Sequence, residues 1–391
     1  MRATRVSPPL LVVLALLPAV RGEGVPLYAA RERLDCQTCH VDPNGGGIRT
    51  EFGFAYGRNR HSVTPEEGKP WSDLTLRNRV GDELPLYVGL NLREMLLATT
   101  SVNDDSLDRA AFFQMESAVH LSFQPHERLS ANVTVNGFDG GASVSDAYGL
   151  LRVGPWDAYL KLGRFRNAFG LRMDDHTVAT RNGFLDFSGG TPGFGDPTYL
   201  PYDPRRSDQG IEVGVAPGRF FGRASLTNGA SSPFFGSTRA QDKAIELGAR
   251  AGPWQGAVSL WDDYSSDLFA FAYRRATRWS TYGMLGFAPF AVLGEIGAGT
   301  DELPAGERRN VLAGFLEANY SPAPPYNVRV RYDEARTDRA LPHTGHRRWA
   351  LEGEWAPVPF AELRLVYRAI AHESPSLSDE RQLYLQGHFT Y

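Results

Sequence analysis

The chain ends in the segment Leu383-Tyr384-Leu385-Gln386-Gly387-His388-Phe389-Thr390-Tyr391. Apolar residues and one glycine alternate there with Tyr384, Gln386, His388 and Thr390. A period of two is typical of a β-strand, because successive side chains point to opposite faces of the sheet. This strand therefore separates an apolar environment on one face from a hydrogen-bonding environment on the other.

The same alternation recurs along the chain from about Leu84. Residues 86–93 and 113–123 alternate strictly, and residues 129–136 follow after a short turn at 124–128, which predicts an up-and-down hairpin. Further clear runs are 158–165, 209–215, 254–261, 311–320, 327–332, 349–355 and 362–369. With weaker runs included we expect about sixteen strands of about 8 to 12 residues, close to the length of tilted membrane strands.

The pattern predicts an all-β fold, a transmembrane antiparallel β-barrel preceded by a short N-terminal segment. A mean hydropathy of -0.33 is typical of soluble proteins, but lumen-facing polar residues lower this average in a barrel. A secreted β-sandwich or propeller is the alternative, and it is disfavoured because so many polar inner faces would overfill a soluble core. The aromatic content of 12% and the 41 glycines also favour a β protein.

The chain divides into three expected regions. Residues 1–22 have the pattern of a secretory signal, with Arg2 and Arg5 before a short apolar run that ends in small residues. Residues 23–70 form a candidate haem-binding segment, and residues 71–391 form the porin-like barrel. A net charge of -4 gives no indication of nucleic-acid binding.

Both cysteines of the chain lie in the motif Cys36-Gln37-Thr38-Cys39-His40. Cys-x-x-Cys-His is the attachment signature of a c-type haem: each thiol forms a thioether, and the adjoining imidazole ligates the iron. We therefore expect one covalent haem c, with Cys36 and Cys39 as attachment residues and His40 as the proximal ligand.

Three other interpretations of this motif fit the sequence less well. A structural zinc site needs about four ligands, and no second Cys/His pair is present. A disulfide exchanger usually opens a helix after a strand, which is not visible around Asp35. A structural disulfide needs no following histidine.

The second axial position decides whether the iron binds small molecules or only transfers electrons. His61 is the nearest candidate for a distal ligand. Other available side chains are His120, His176, Met95 and Met115.

Two features of the predicted barrel bear on transport. Many charges fall on lumen-facing positions, where they shape ion passage or hold a plug. They are Arg93, Glu116, Lys161, Glu212, Arg329, Arg331, Asp333, Glu352, Glu354, Arg364 and Arg368. Residues 163–202 interrupt the strand rhythm. They form a loop that folds inward and narrows the lumen, a loop that caps the outer mouth, or an ordinary surface loop.

The order of export signal, one haem motif and a barrel in the same chain resembles the fused monohaem cytochrome-porins of the bacterial outer membrane, whose best-known members are implicated in oxidising extracellular Fe(II). Local similarity covers Tyr28-Ala29-Ala30-Arg31, Thr38, Pro43 and Phe52-Gly53, whereas residues 45–49 depart from the family pattern. The C-terminal aromatic residue also resembles the assembly signal of outer-membrane barrels. A second similar group is the porin subunit of porin-cytochrome conduits, which sheathes a multihaem cytochrome.

The resemblance implies an outer-membrane electron-transfer protein, with its haem segment on the periplasmic side or in the lumen. Expected partners are periplasmic c-type cytochromes, outer-membrane lipid, and extracellular iron or a multihaem cytochrome. An Fe(II)-oxidising activity is one expectation from this group. The alternatives are a passive or substrate-specific porin with a structural haem segment, a porin sheath of a multihaem conduit, and a soluble periplasmic cytochrome with a β-domain.

Overall fold

A computed structural model describes residues 26–71, 76–81, 83–102, 108–138, 141–171, 177–181, 207–229, 241–267, 272–302 and 306–391. Sixteen strands form one closed barrel in which every neighbouring pair is antiparallel and β16 pairs with β1. The strands are β1 Leu86–Ser101, β2 Arg109–His126, β3 Leu129–Phe138, β4 Gly141–Arg152, β5 Tyr159–Phe165, β6 Asp208–Val215, β7 Phe220–Thr227, β8 Asp242–Ala251, β9 Trp254–Asp267, β10 Ala272–Phe287, β11 Phe290–Glu302, β12 Arg308–Tyr320, β13 Tyr326–Arg336, β14 Gly345–Trp355, β15 Ala361–His372 and β16 Glu380–Thr390.

The alternation predicted for the last strand is present in the structure. Leu383 and Leu385 are 50% and 48% exposed on the outer face, whereas Tyr384 and Gln386 are 4% and 3% exposed inside. The outer face of the barrel wall is therefore apolar, and its inner face is polar. The prediction of an all-β barrel of about sixteen antiparallel strands is confirmed.

The predicted strand length of about 8 to 12 residues was wrong for the longest strands. The strands range from 7 residues in β5 to 18 in β2. A strand can continue its backbone ladder with a neighbour beyond the stretch that shows the strict apolar alternation. β2 does this with β1, to which it pairs from Arg109 to Phe123, whereas its pairing with β3 begins only at Ala118.

The two ends of the barrel differ in their connections. At one end the strands are joined by short turns, such as the two residues between β8 and β9 or between β10 and β11. The start of β1 and the end of β16 lie at this same end, where Asn91 pairs with Thr390. At the other end the connections are mostly longer, the longest being the one between β5 and β6.

The lumen contains an N-terminal segment at the short-turn end. This segment forms three short helices, α1 Pro26–Glu32, α2 Cys36–Cys39 and α3 Glu51–Arg58. In α1, Leu27 and Ala30 pack against Met284 and Leu293 of the barrel wall. The predicted signal at residues 1–22 lies outside the described residues.

Among the described residues, no helix is long and apolar enough to cross a membrane.

The loop after β5 folds into the lumen in the parts that the structure describes. Phe169, Ala179 and Arg181 are at most 1% exposed. The backbone N–H of Ala179 donates to Asp333 on β13, and Arg181 pairs with Glu295 on β11 at 3.2 Å. The predicted interruption begins too early, because residues 163–165 still belong to β5. Residues 166–171 and 177–181 follow the inward alternative, and residues 172–176 and 182–202 are outside the described part.

Candidate functional site

The Cys-x-x-Cys-His motif forms a single helical turn inside the barrel. The two thiols are not bonded to each other, and the N–H of His40 donates to the carbonyl of Cys36 at 2.8 Å. A short β-bridge joins His40 to Arg49 and returns the chain towards α3. The turn between them needs glycine at Gly45, which has φ +87° and whose added Cβ would lie 3.6 Å from Sγ of Cys36.

The thiols lack the electrostatic environment of a redox-active pair. Burial raises the pKa of Cys36 to about 12 and that of Cys39 to about 11. Disulfide oxidoreductases instead lower the pKa of the attacking thiol, because the thiolate is the nucleophile. The local environment of the two thiols therefore disfavours disulfide exchange.

A buried ion-pair cluster joins the motif to the barrel wall. Nζ of Lys161 lies 2.8 Å from Asp42 and 3.1 Å from Glu212, and the amide of Asn44 donates to Glu212 at 2.9 Å. Burial opposes ionisation of Asp42, but the ammonium group of Lys161 outweighs it and lowers the pKa of that carboxyl. Asp42 is therefore ionised at neutral pH and tethers the residues after His40 to strands β5 and β6.

Further contacts bind the segment to the short-turn end. Arg250 pairs with Asp35 at 3.0 Å, and Arg152 donates to the side chain of Gln37 at 2.9 Å. Asp35 precedes the motif, and Gln37 lies between its two cysteines. Together with Lys161, these contacts connect the segment to strands β4, β5 and β8.

The close packing of α2 on α3 depends on Gly53. A Cβ added there would overlap the backbone carbonyl of Cys39. Gly53→Ala is expected to push α2 out of place and to destabilise the seated segment by about 1–3 kcal/mol, the usual cost of overpacking. Proteolysis of residues 26–62 at rising temperature measures this effect.

Gly353→Ala is the matched control, because a Cβ at Gly353 would meet no atom within 4 Å. The control is expected to keep the protease resistance of the wild type. Equal resistance of the two variants would contradict the packing argument.

A cavity of about 680 Å³ opens beside the motif, within the usual range of about 300–1,000 Å³ for cofactor sites. Cys39, His40 and Arg49 line it. Among the described residues, one terminal nitrogen of Arg49 is buried without a hydrogen-bond partner, and burial lowers the pKa of this guanidinium. A carboxylate would compensate for its lost hydration. The residues present therefore fit haem c, whose two propionates are carboxylates.

The structure brings several of the predicted ligands to this cavity. His61, His120 and Met115 line it together with His40. Met95 packs elsewhere in the lumen with Leu97, Val366 and Tyr384. His176 is outside the described residues.

The sequence reasoning missed His388, Tyr28 and Arg49 as lining residues. The alternation of the last strand already indicated that His388 faces the lumen. Tyr28 and Arg49 lie outside the strands, in a segment without a repeating pattern, so no local signal indicated their direction.

His61 lies in a dense hydrogen-bonded cluster. Its Nδ1 is 2.9 Å from the hydroxyl of Tyr28, and its Nε2 is 3.3 Å from a carboxylate oxygen of Glu362. Burial lowers the pKa of His61 to about 4, so the ring is neutral at physiological pH.

Ligand atoms of His61, Glu354 and Glu362 lie within 4.8 Å of one another, a spacing that a metal ion could use. The carboxylates are already bonded to cations and hydroxyls, since Arg364 lies 3.1 Å from Glu354 and 3.0 Å from Glu362. We interpret the cluster as a hydrogen-bonded support for the cavity wall.

The predicted lumen-facing charges are buried or half-buried in the interior, and they pair across strands. Arg329 lies 3.0 Å from Glu352 and 3.3 Å from Glu317. Arg348 and Asp333, at 3.1 Å, form a second pair that borders the inward loop. Arg348 also holds the loop after β5 in the lumen, because it donates to the carbonyl of Thr177.

No protein-family model and no curated protein sequence match this chain.

Solved structures with similar folds do exist. A loop L8 deletion mutant of OmpT, an outer membrane protein of Vibrio cholerae, has a TM-score of 0.57 at 12% identity and covers 79% of this chain and 100% of its own. The anion-selective porin from Comamonas acidovorans has a TM-score of 0.59 at 10% identity, with coverage of 79% and 100%. The outer membrane channel DcaP of Acinetobacter baumannii has a TM-score of 0.55 at 9% identity, covering 78% of this chain and 97% of its own. The chain therefore has a barrel fold similar to those of outer-membrane porins.

Proposed function

We propose that this protein is an outer-membrane barrel that carries one covalent haem c in its lumen and transfers electrons between the two sides of the membrane. The observation that carries the proposal is the position of the haem motif. Cys36, Cys39 and His40 lie inside a closed barrel. Cys39 and His40 border a cavity that is also lined by Arg49, one terminal nitrogen of which has no hydrogen-bond partner among the described residues. A free diffusion channel has no need for a buried attachment motif in its lumen.

Each part of the segment has a distinct role in this proposal. When haem c is bound, Cys36 and Cys39 would each add the S–H of their thiol across a haem vinyl double bond to form the two thioethers, and His40 would ligate the iron. Arg49 would bind a propionate, and Lys161 holds Asp42 so that the motif keeps its position. Haem c, when bound, supplies a one-electron iron couple whose potential depends on burial and on the second axial ligand.

The direction of insertion follows from the loops. Outer-membrane barrels have short periplasmic turns and longer extracellular loops. The motif lies at the short-turn end, which places it near the periplasm in this proposal. Periplasmic c-type cytochromes are then the partners on that side.

The donor or acceptor on the other side must approach through the long-loop end. The hydrocarbon layer is about 30 Å thick, so a single haem near one surface does not by itself carry electrons across the membrane. A small species such as Fe(II) can enter the lumen, and a multihaem cytochrome can insert a redox group. Oxidation of extracellular Fe(II) is the first of these two possibilities.

A passive or substrate-specific porin is the second candidate. The fold similarity to proteins described as porins favours it. In this case the N-terminal segment would be structural or would regulate passage. The two candidates differ in whether the protein carries haem at all.

Haem staining of fractionated cells tests the proposal directly. When the full chain is produced with the c-type maturation apparatus, the outer-membrane fraction is expected to give a haem-stained band that survives denaturation and has the mass of the polypeptide. A stained band in the soluble fraction would instead support a soluble cytochrome. An unstained polypeptide in the outer membrane would overturn the proposal and support the passive or substrate-specific porin.

A further inference from the structure

We propose that His120 is the distal ligand of the haem iron, an inference that rests on the proposed function and deepens it. Among the described residues, four histidines line the cavity: His40, His61, His120 and His388. His40 belongs to the attachment motif, so the other three are candidates for the opposite side of the iron. An imidazole ligates a metal through one ring nitrogen, which must offer its lone pair.

His61 and His388 use both ring nitrogens in contacts within the protein. The hydroxyl of Tyr28 and a carboxylate oxygen of Glu362 flank His61 at 2.9 and 3.3 Å. Nδ1 of His388 is 3.0 Å from Glu362, and its Nε2 is 2.7 Å from the side-chain oxygen of Asn91. Ligation by His388, or by Nδ1 of His61, would break a buried hydrogen bond and leave a polar group unsatisfied, at a cost of about 1–3 kcal/mol. Ligation by Nε2 of His61 would displace the neighbouring carboxylate of Glu362.

His120 differs because only one of its nitrogens is engaged. Nδ1 is 3.0 Å from the hydroxyl of Thr134, and Nε2 has no hydrogen-bond partner in the part of the chain that the structure describes. Metal-ligating histidines commonly bond the second ring nitrogen to a nearby polar group, which fixes the tautomer and the ring orientation. Thr134 provides this support, since its hydroxyl can accept from Nδ1–H while Nε2 keeps its lone pair.

The strand position of His120 makes it a rigid ligand. It lies on β2 directly opposite Thr134 on β3 and Gly89 on β1, and it is 8% exposed. A side chain held between two paired strands loses little freedom when it ligates a metal. This differs from His61, which lies outside the barrel strands just beyond α3.

Contacts around Gly89 place His120 beside the haem segment. A Cβ added at Gly89 would lie 3.1 Å from Cδ1 of Ile48 and 3.5 Å from Cβ of His120, so both residues approach the same point of the wall. Ile48 precedes Arg49, the bridge partner of His40. The carbonyl of Ile48 also accepts from the N–H of Val41, the residue after His40. His120 therefore faces the segment next to the proximal ligand.

The experiment compares absorption and electron paramagnetic resonance spectra of the purified, haem-loaded full chain with those of single variants. The wild type is expected to be low-spin in the ferric state, because two histidines give a strong ligand field. His120→Ala is expected to lose the low-spin signal completely and to regain it when imidazole is added. His61→Ala and Met115→Leu are expected to keep it.

Each other outcome overturns a distinct statement. A low-spin signal that persists in His120→Ala, or a high-spin wild type, would overturn the ligand assignment while leaving the haem in place. Loss of the signal in His61→Ala alone would transfer the role to His61. A wild-type chain without covalent haem would overturn the proposed function itself.

A second variant guards against misfolding of His120→Ala. His120→Met replaces the ligand by a thioether of similar size, and it is expected to keep a low-spin spectrum with a raised reduction potential. A folded barrel is recognised by its resistance to denaturation on unheated gels. If both variants form the barrel and neither changes the spectrum or the potential, His120 is not a ligand.

Discussion

Replacing Cys36 and Cys39 together by alanine is expected to abolish covalent haem and, with it, electron transfer across a liposome membrane. The assay traps a soluble c-type cytochrome, which is too large to pass the barrel, inside liposomes that contain the full-length protein. Fe(II) or dithionite is added outside as the donor, and reduction of the trapped cytochrome is followed by absorbance. The wild type should reduce it, and the double variant should fall to the rate of protein-free liposomes.

The physical reason is that the thioethers are the only covalent attachment the chain offers, since it has two cysteines in total. Thr38→Ala is the matched control, because it changes the same helical turn and keeps both thiols and His40. This control is expected to reduce the trapped cytochrome at the wild-type rate. Equal rates in the wild type and the double variant would mean that the donor leaks through the lumen, as the passive-porin candidate predicts.

Lys161→Met is expected to release the N-terminal segment from the lumen. The substitution keeps the size of the side chain but removes the ammonium group between Asp42 and Glu212, at 2.8 and 3.1 Å. Lys161 and Glu212 are 0% exposed, so two carboxylates would be left in the interior without their shared cation. Removing one partner from a buried ion pair costs about 3–5 kcal/mol.

Two measurements detect the release of the N-terminal segment. Protease cleavage between residues 26 and 62 should become faster. Small sugars should enter liposomes that contain the variant faster than liposomes that contain the wild type. Arg308→Met is the matched control, since Arg308 pairs with Glu302 at 2.8 Å in an exposed pair. Exposed pairs contribute about 0–1 kcal/mol, so the control should resemble the wild type. Unchanged protease resistance in Lys161→Met would show that other contacts suffice to hold the segment.

Much of the fold could be predicted because strand alternation is a local property of the sequence. Leu383, Leu385 and Phe389 point outward, and Tyr384 and Gln386 point inward, as the period of two requires. The strand ends could not be placed as well, because backbone pairing continues past the alternating stretch. β13, predicted at 327–332, extends over Tyr326–Arg336 for this reason.

Of the candidate site, only the Cys-x-x-Cys-His motif could be predicted from the sequence. Cys36, Cys39 and His40 are adjacent in the sequence, so their spacing alone indicates the attachment chemistry. The role of a more distant histidine depends on what surrounds it. His61 was the nearest candidate by sequence, but the structure engages both of its nitrogens, and His120 lines the same cavity with Nε2 available.

By itself, the sequence determined that this protein forms a barrel of alternating strands and carries a Cys-x-x-Cys-His motif before it. Both properties depend on residues close together in the chain. Only the tertiary structure decided that the motif lies inside the barrel, that the loop after β5 folds inward, and which polar groups meet. Lys161 and Asp42 are 119 positions apart and Tyr28 and Glu354 are 326 apart, so closure and strand register bring these pairs together. No local pattern encodes such contacts, because they depend on where every other strand of the barrel lies.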